Sequence, residues 1–410
     1  MTARYQFPPQ LLENGIKNLI FRALHNLIYR HPALGITVGG TPHSPSWIRL
    51  ASIDLEKVVQ FEDVLSDNTT PLIEAAHQIP FKKSSALWRV IVIKLPLDLS
   101  FDVAVFLHHA VADGTSGLAF HSTLKDALSE TSSIPNSVVE VPRLDLLPAL
   151  EDIHPLPLSL SFVLSQVIHT FLPGSDRQCW TGPAIRSENN ITHLRTVFFP
   201  ITRVEALLRL CRSNNTTITA LITVTIANII AQVYPQYSRF TSVGAMSFRR
   251  FTGTDKSQIV NYVSSFSHKF SRVPQAGYIP CGSFSWDAVQ SCHEDIKAAT
   301  ASARNQKVGL LRYANDYANY FRKLVGKKRE YSFEVSNVGV LSQNGESVIK
   351  RVIFSQCSSV TGAAYVFSVA TVEGGDMAIA LTWQDGIIKT ETAETVLSQL
   401  ETDLNSLPLN

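Results

Sequence analysis

Along residues 11–30, Leu12, Ile16, Ile20, Leu24, Leu27 and Ile28 recur at helical spacing, and His31-Pro32 ends the run. The spacing predicts an amphipathic helix whose apolar stripe packs into a core. Strand-like runs follow at 46–51, 56–61, 87–95 and 101–108, with a helical stretch at 70–78 between them. That alternation is the pattern of one α/β unit. From 132 to 192, Pro, Ser and Leu dominate and periodicity fades except over 158–171, which predicts a crossing linker. A second α/β unit opens with the strand 193–199 and helices at 201–213 and 217–233. Strands at 239–248 and 260–270, helices at 285–304 and 308–324, strands at 331–340, 350–356, 362–372 and 376–384, and a helix at 391–405 complete it. The expected architecture is α/β, divided as 1–131, 132–192 and 193–410.

Charge and cysteine content narrow the classes of partner. Lys and Arg number 36 against 34 Asp and Glu, a formal charge of +2, so no global field recruits nucleic acid or an anionic membrane. The five cysteines, at 179, 211, 281, 292 and 357, show no Cys-x-x-Cys spacing, which indicates neither a disulfide framework nor a zinc site and suits a reducing compartment. The opening residues lack a basic stretch, an apolar stretch and a cleavage site, so secretion is not expected and the sequons at Asn68, Asn190 and Asn215 are expected to be unused. The apolar-looking segment Leu156–Leu172 contains Ser, Gln, His and Pro and falls short of a spanning helix. It reads as a linker helix, with a peripheral lipid contact as the alternative. A cytoplasmic monomer without stable membrane insertion is expected.

The chemistry concentrates at the exit of the run 101–107, in His108-His109-Ala110-Val111-Ala112-Asp113-Gly114. Thr115-Ser116-Gly117 and the apolar Leu118, Phe120, Leu124 and Leu128 then read as a capped helix. A bare His-x-x-x-Asp arises easily by chance; the second His and the Gly lower that chance to below about one in a thousand chains. An imidazole at this position suits proton transfer near neutral pH. No Gly-x-Ser-x-Gly elbow appears and no cysteine sits in a nucleophile motif, so a covalent route has no sequence support. Asp113, four residues after His109 in a loop, suggests a triad in which it orients the imidazole. Gly114 suggests a tight turn with positive φ. His108 reads as structural rather than catalytic, because neighbours at a strand end face opposite ways. His121 reads as a surface or packing residue.

The seven-residue string resembles the signature of chloramphenicol acetyltransferase, the condensation domains of peptide synthetases, plant BAHD acyltransferases and fungal alcohol acetyltransferases. Further resemblances favour the last branch: Ala86-Leu87-Trp88-Arg89-Val90, Cys179-Trp180-Thr181-Gly182, Asn215–Leu221, Ser247-Phe248-Arg249-Arg250 and Ser336-Asn337-Val338-Gly339. The Asp-Phe-Gly-Trp-Gly element of the plant enzymes is absent, Trp383-Gln384-Asp385-Gly386 being the nearest stretch. Met1–Tyr5 resembles the middle of the family's first strand, so an upstream segment is expected to be missing and a sheet edge or part of the family's tunnel uncovered.

The resemblance implies two chloramphenicol acetyltransferase-like subdomains, mixed sheets flanked by helices, with the active site in a tunnel between them. It implies His109 as general base for direct transfer from acyl-CoA, expected to be acetyl-CoA, to the hydroxyl of a small lipophilic or secondary metabolite, with no bound cofactor and no metal. It turns Asp113 away from His109, to pair with an arginine of the second half: Arg249, or Arg250 as the alternative. Ser336 and Asn337 could donate hydrogen bonds to the thioester oxygen or the acceptor, or simply close a turn beside Gly339. Two other functions share these residues: a condensation-like enzyme with an acyl carrier protein as donor or an amine as acceptor, and a catalytically silent binding protein.

Overall fold

The run Phe101–Phe106 is buried throughout, as a strand covered on both faces must be, and it lies inside a five-stranded sheet. The structure, a computed structural model, describes residues 1–6, 15–41, 44–96, 100–130, 136–171, 176–188, 190–313, 316–343 and 348–408. Its first part runs β1 (Thr2–Gln6), α1 (Ile16–Arg30), β2 (Ile36–Thr41), β3 (Ser44–Arg49), β4 (Ser52–Asp54), α2 (Leu55–Val58), β5 (Val59–Asp63), α3 (Thr70–His77), β6 (Trp88–Lys94), β7 (Ser100–Leu107) and α4 (Gly114–Leu128). The connecting region contains β8 (Val138–Glu140), α5 (Leu150–Ile153), α6 (Leu160–Phe171) and β9 (Cys179–Trp180). The last part opens with β10 (Thr192–Phe199), α7 (Ile201–Ser213), α8 (Ile218–Val233), β11 (Arg239–Ser247), α9 (Arg249–Thr252), β12 (Val263–Ser271), β13 (Ile279–Pro280) and α10 (Trp286–Thr300). A 3₁₀ helix at Lys307–Tyr313, α11 (Tyr317–Arg322), β14 (Phe333–Leu341), β15 (Val348–Ile353), β16 (Tyr365–Val372), β17 (Met377–Gln384) and α12 (Thr390–Ser406) follow.

The smaller sheet has the order β15-β1-β7-β6-β5, and the larger one β10-β17-β16-β14-β11-β12-β13, with β9 beside β11. Both are mixed: β5 and β6 run parallel, as do β11, β14 and β16. Helices α1 and α4 bury their apolar stripes against the smaller sheet, where Leu24, Leu27, Phe120 and Leu124 are fully buried. α8 packs against the larger sheet together with α7, α10 and α12, and its run from Ala220 to Ala231 is buried throughout. A third apolar cluster joins the two sheets through Ile91, Phe106, Leu194, Ile353 and Ala378.

Several elements depart from the sequence expectations. The strand 350–356, placed in the second half, is β15 and completes the sheet of the first half. β1 lies between β7 and β15, so it is an interior strand and the expected uncovered edge does not fall on it. The run 56–61 begins as a helical turn capped by Asp54, whose side chain accepts from Glu56 N, before becoming β5. β2, whose Gly39-Gly40 obscures the strand signal, pairs with β3 in a separate hairpin. The expected helix 308–324 splits, because Asp316 caps a new helix at Asn319 N. The first helix begins at Ile16, and residues 11–14 of its expected span lie outside the described residues. Among the described residues no single helix is long and apolar enough to cross a membrane.

Candidate active site

β7 ends at Leu107, and the chain turns through His108–Ala112 into α4, with Val111 N donating to His108 O. His109 sits in this turn, exposed to solvent. Its Nδ1 lies 2.9 Å from Ala112 O. A carbonyl can only accept, so the proton of the neutral ring is held on Nδ1 and the lone pair is left on Nε2. From the second part of the chain, Asn261 Nδ2 donates to His109 O at 2.6 Å and fixes the turn.

Asp113 does not meet His109. It is the N-cap of α4: its Oδ1 accepts from Ser116 N at 3.0 Å, and the Ser116 hydroxyl closes the capping box. Its Oδ2 accepts from Arg249 Nη1 at 2.5 Å and from Tyr262 N at 3.2 Å. The second guanidinium nitrogen, Nη2, reaches Val260 O at 3.0 Å and Gln258 O at 3.2 Å, and Ser116 Oγ bonds Val260 O at 2.9 Å. Asp113, Ser116 and Arg249 therefore tie the His109-bearing loop to the segment before β12. Arg250, by contrast, is exposed and stacks over Phe251. The buried Ser116 is held in this clamp rather than presented to a substrate.

Gly114 needs no positive φ; it is the first residue of α4. A Cβ there would stand 2.5 Å from Val338 Cγ1 and 3.0 Å from the Phe354 ring, so close packing, not backbone conformation, excludes a side chain. His108 packs edge-on against Phe81, and its Nδ1 accepts from Ala110 N. Phe81 is in turn stacked by Arg89, which also lies over Phe106. His121 is a packing residue, fully buried between Tyr5 Oη at 2.9 Å and Met1 O at 3.2 Å. Burial lowers its pKa to about 3.

Ser336-Asn337-Val338-Gly339 is not a turn but a bulge inside β14, where the pairing register with β16 shifts between Asn337 and Val340. Gly339 takes φ +86°, and its N–H donates to Asn337 Oδ1. The Asn337 amide donates to Thr219 Oγ1 at 3.0 Å on α8, so both ends of this side chain serve the fold. Ser336 is buried and alternates to the other face of the strand, the face on which Val338 approaches Gly114.

Glu334 shares that face and was not singled out by sequence. Its signal was a lone acid in the apolar run Phe333–Val335, too common a feature to stand out. Gln356 Nε2 lies 3.4 Å from its Oε1 and 3.2 Å from Ser368 Oγ. Burial raises the Glu334 carboxyl, while Gln356 and the charge of His109 act in the opposite direction. Glu334 also lines a cavity of about 340 Å³ walled by Val243, Ala245, Val263, Val308 and Leu311, with Ser264, Ser265 and Lys307 as polar members. Lys307 is engaged by Glu330 at 2.6 Å. A carboxyl within range of the His109 charge thus lines a largely apolar cavity.

A sequence model of the alcohol acetyltransferase family matches residues 48–404. The chain belongs to the alcohol acetyltransferase family. Within it, the chain is 25% identical to the probable alcohol acetyltransferase FCK4 of Fusarium pseudograminearum, over 95% of this chain and 86% of that one. It is 26% identical to the probable alcohol acetyltransferase crmB of Aspergillus fumigatus, over 91% and 87%. Among solved structures, the first condensation domain of the calcium-dependent antibiotic synthetase aligns with TM-score 0.64 over 98% of this chain and 89% of that one, at 12% identity. The epimerization domain of tyrocidine synthetase B aligns at 0.63 over 99% and 91%, at 11% identity. These likenesses give the two-lobed fold. Family membership makes this alcohol acetyltransferase relative an acyltransferase, which uses an acyl donor and an alcohol acceptor.

Proposed function

We propose that the protein transfers an acyl group, an acetyl group foremost, from acyl-CoA to the hydroxyl of a small lipophilic or secondary metabolite, with His109 as general base. The hydrogen bond from His109 Nδ1 to Ala112 O carries this reading, because it directs the basic lone pair outward from Nε2. In the proposed reaction the hydroxyl oxygen attacks the thioester carbon while its proton passes to Nε2. The C–S bond of the tetrahedral intermediate then breaks, and the imidazolium returns the proton to the departing thiolate. Glu334, ionised, stabilises the imidazolium between these steps. Ser336, on the same face of β14, is the candidate donor to the oxyanion. The cavity beside Glu334 takes the acceptor, and the donor reaches His109 from the opposite side in a tunnel between the two parts of the chain.

The thiols support direct transfer rather than an acyl-enzyme. Burial pushes Cys211 and Cys281 up to about 12, and desolvation raises Cys357. Direct transfer requires a ternary complex, so initial-rate lines with acetyl-CoA and an alcohol should intersect, and no acetylated protein should accumulate without an acceptor. Parallel lines with a trapped acyl adduct on Ser116 or a cysteine would overturn the mechanism. Replacing acetyl-CoA with an acyl-loaded carrier protein, and the alcohol with an amine, tests the condensation-like alternative in the same assay.

A further inference from the structure

Helix α6 carries no Asp, Glu, Lys or Arg, and its Leu160, Leu164 and Ile168, at every fourth position, are 90%, 59% and 50% exposed. A surface helix ordinarily turns such a stripe inward and charge outward. Both ends of α6 are tied to one stretch of chain. Ahead of the helix, Ser159 N donates to Asn305 Oδ1 at 2.7 Å, and Arg312 Nη2 donates to Pro155 O at 2.8 Å. Beyond it, Lys328 Nζ donates to Asp176 O at 2.9 Å and Cys179 O at 2.6 Å. The stretch between these anchors contains the 3₁₀ helix and α11, where Tyr320 and Phe321 are exposed beside the exposed Arg322, Lys323 and Lys327. Residues 312–330 hold six Lys and Arg against two acidic residues, in a chain whose total charge is +2.

We propose that α6 and the 3₁₀–α11 stretch form one docking face for an anionic lipid surface. Apolar side chains on an uncharged helix enter the headgroup–acyl boundary, aromatic rings sit at its level, and the neighbouring cations meet the lipid charge. Charge complementarity and the uncharged helix face favour a bilayer over an acidic protein. Val308 and Leu311 of the same 3₁₀ helix line the cavity beside Glu334, so the docked face borders the cavity wall. That last connection rests on the acceptor reading above; the docking itself does not.

Co-sedimentation of the full chain with vesicles of phosphatidylcholine plus phosphatidylserine, and of phosphatidylcholine alone, tests the proposal without any acyl transfer. The protein should pellet with the anionic vesicles, weakly with the neutral ones, and less as salt rises. Each cation contributes about fivefold at an anionic surface, so Lys323→Glu with Lys327→Glu should weaken binding by at least about 25-fold. Leu164→Ser with Ile168→Ser should also release the protein, while circular dichroism shows both variants folded. Failure of the wild type to pellet with anionic vesicles, or equal binding by either folded variant, would overturn the proposal. So would a wild-type dimer in sedimentation velocity that Leu164→Ser with Ile168→Ser converts to monomer, because a second copy would then cover the face.

Discussion

Arg249 Nη1 stands 2.5 Å from Asp113 Oδ2, and each side chain is 4% exposed. The pair joins the N-cap of α4 to the first residue of α9, two elements separated by more than a hundred residues of chain. Removing either partner leaves a buried charge uncompensated, so Asp113→Asn and Arg249→Met should each destabilise the protein by about 3–5 kcal/mol. Their effects should not add. A double-mutant cycle on unfolding that returned a coupling near zero would remove the pair as the tie between the His109 loop and the second part.

If His109 is the proposed general base, His109→Ala should lower the turnover number by about 10²–10⁴ while leaving acyl-CoA binding nearly unchanged, because the proposed role is proton transfer and not donor contact. Steady-state kinetics together with direct measurement of acyl-CoA binding separate the two quantities. Full activity in the variant would move the site elsewhere.

Folding stability should fall as the pH drops below 6.5. His31 and His121 are buried, and burial lowers their pKa values from 6.5 to about 4 and about 3. Above pH 6.5 both rings are neutral in folded and unfolded chains alike. Below it the unfolded chain takes up protons that the folded chain refuses, so stability is lost as pH falls toward the folded values, by about 1.4 kcal/mol per pH unit for each ring. His31→Gln should flatten the dependence of unfolding free energy on pH between 6 and 4.5 by about that amount per unit. An unchanged slope would contradict the assignment.

The seven-residue string and its strand-to-helix setting were legible because local periodicity and capping chemistry fix both. β7 and α4 fall where the pattern of Phe101–Leu128 places them, and the branch of the family was already visible in scattered short matches. What escaped was tertiary. The passage of β15 into the smaller sheet leaves no local mark, since a strand of Val and Ile reads alike in either sheet. Glu334 and Asn261 gain meaning from what they face across the fold. Gly114 was read through backbone conformation, whereas Val338, more than two hundred residues away, is what requires a glycine there.

That close approach predicts the effect of Gly114→Ala. The new Cβ would lie 2.5 Å from Val338 Cγ1, and overpacking of this kind costs about 1–3 kcal/mol. Adding Val338→Ala should recover most of the loss by opening the space. Thermal unfolding of the single and double variants decides it, and a double variant no more stable than Gly114→Ala would point instead to the ring of Phe354.

The ionisation of Glu334 should appear in the pH–rate profile. Burial raises this carboxyl from its ordinary value of 4.5, and His109 is close enough for its charge to oppose the shift. Above the raised pKa the carboxylate is charged and, in the proposed mechanism, favours the imidazolium formed when His109 takes the hydroxyl proton. As pH falls through that pKa the charge is lost, and turnover should decline with it, at a higher pH than an ordinary glutamate would give. Glu334→Gln keeps the size and the contact with Gln356 but cannot ionise. It should therefore lower turnover at neutral pH and erase the carboxylate step from the acid limb. Retention of that step, with an unchanged rate at neutral pH, would show that Glu334 shapes the cavity without serving the base.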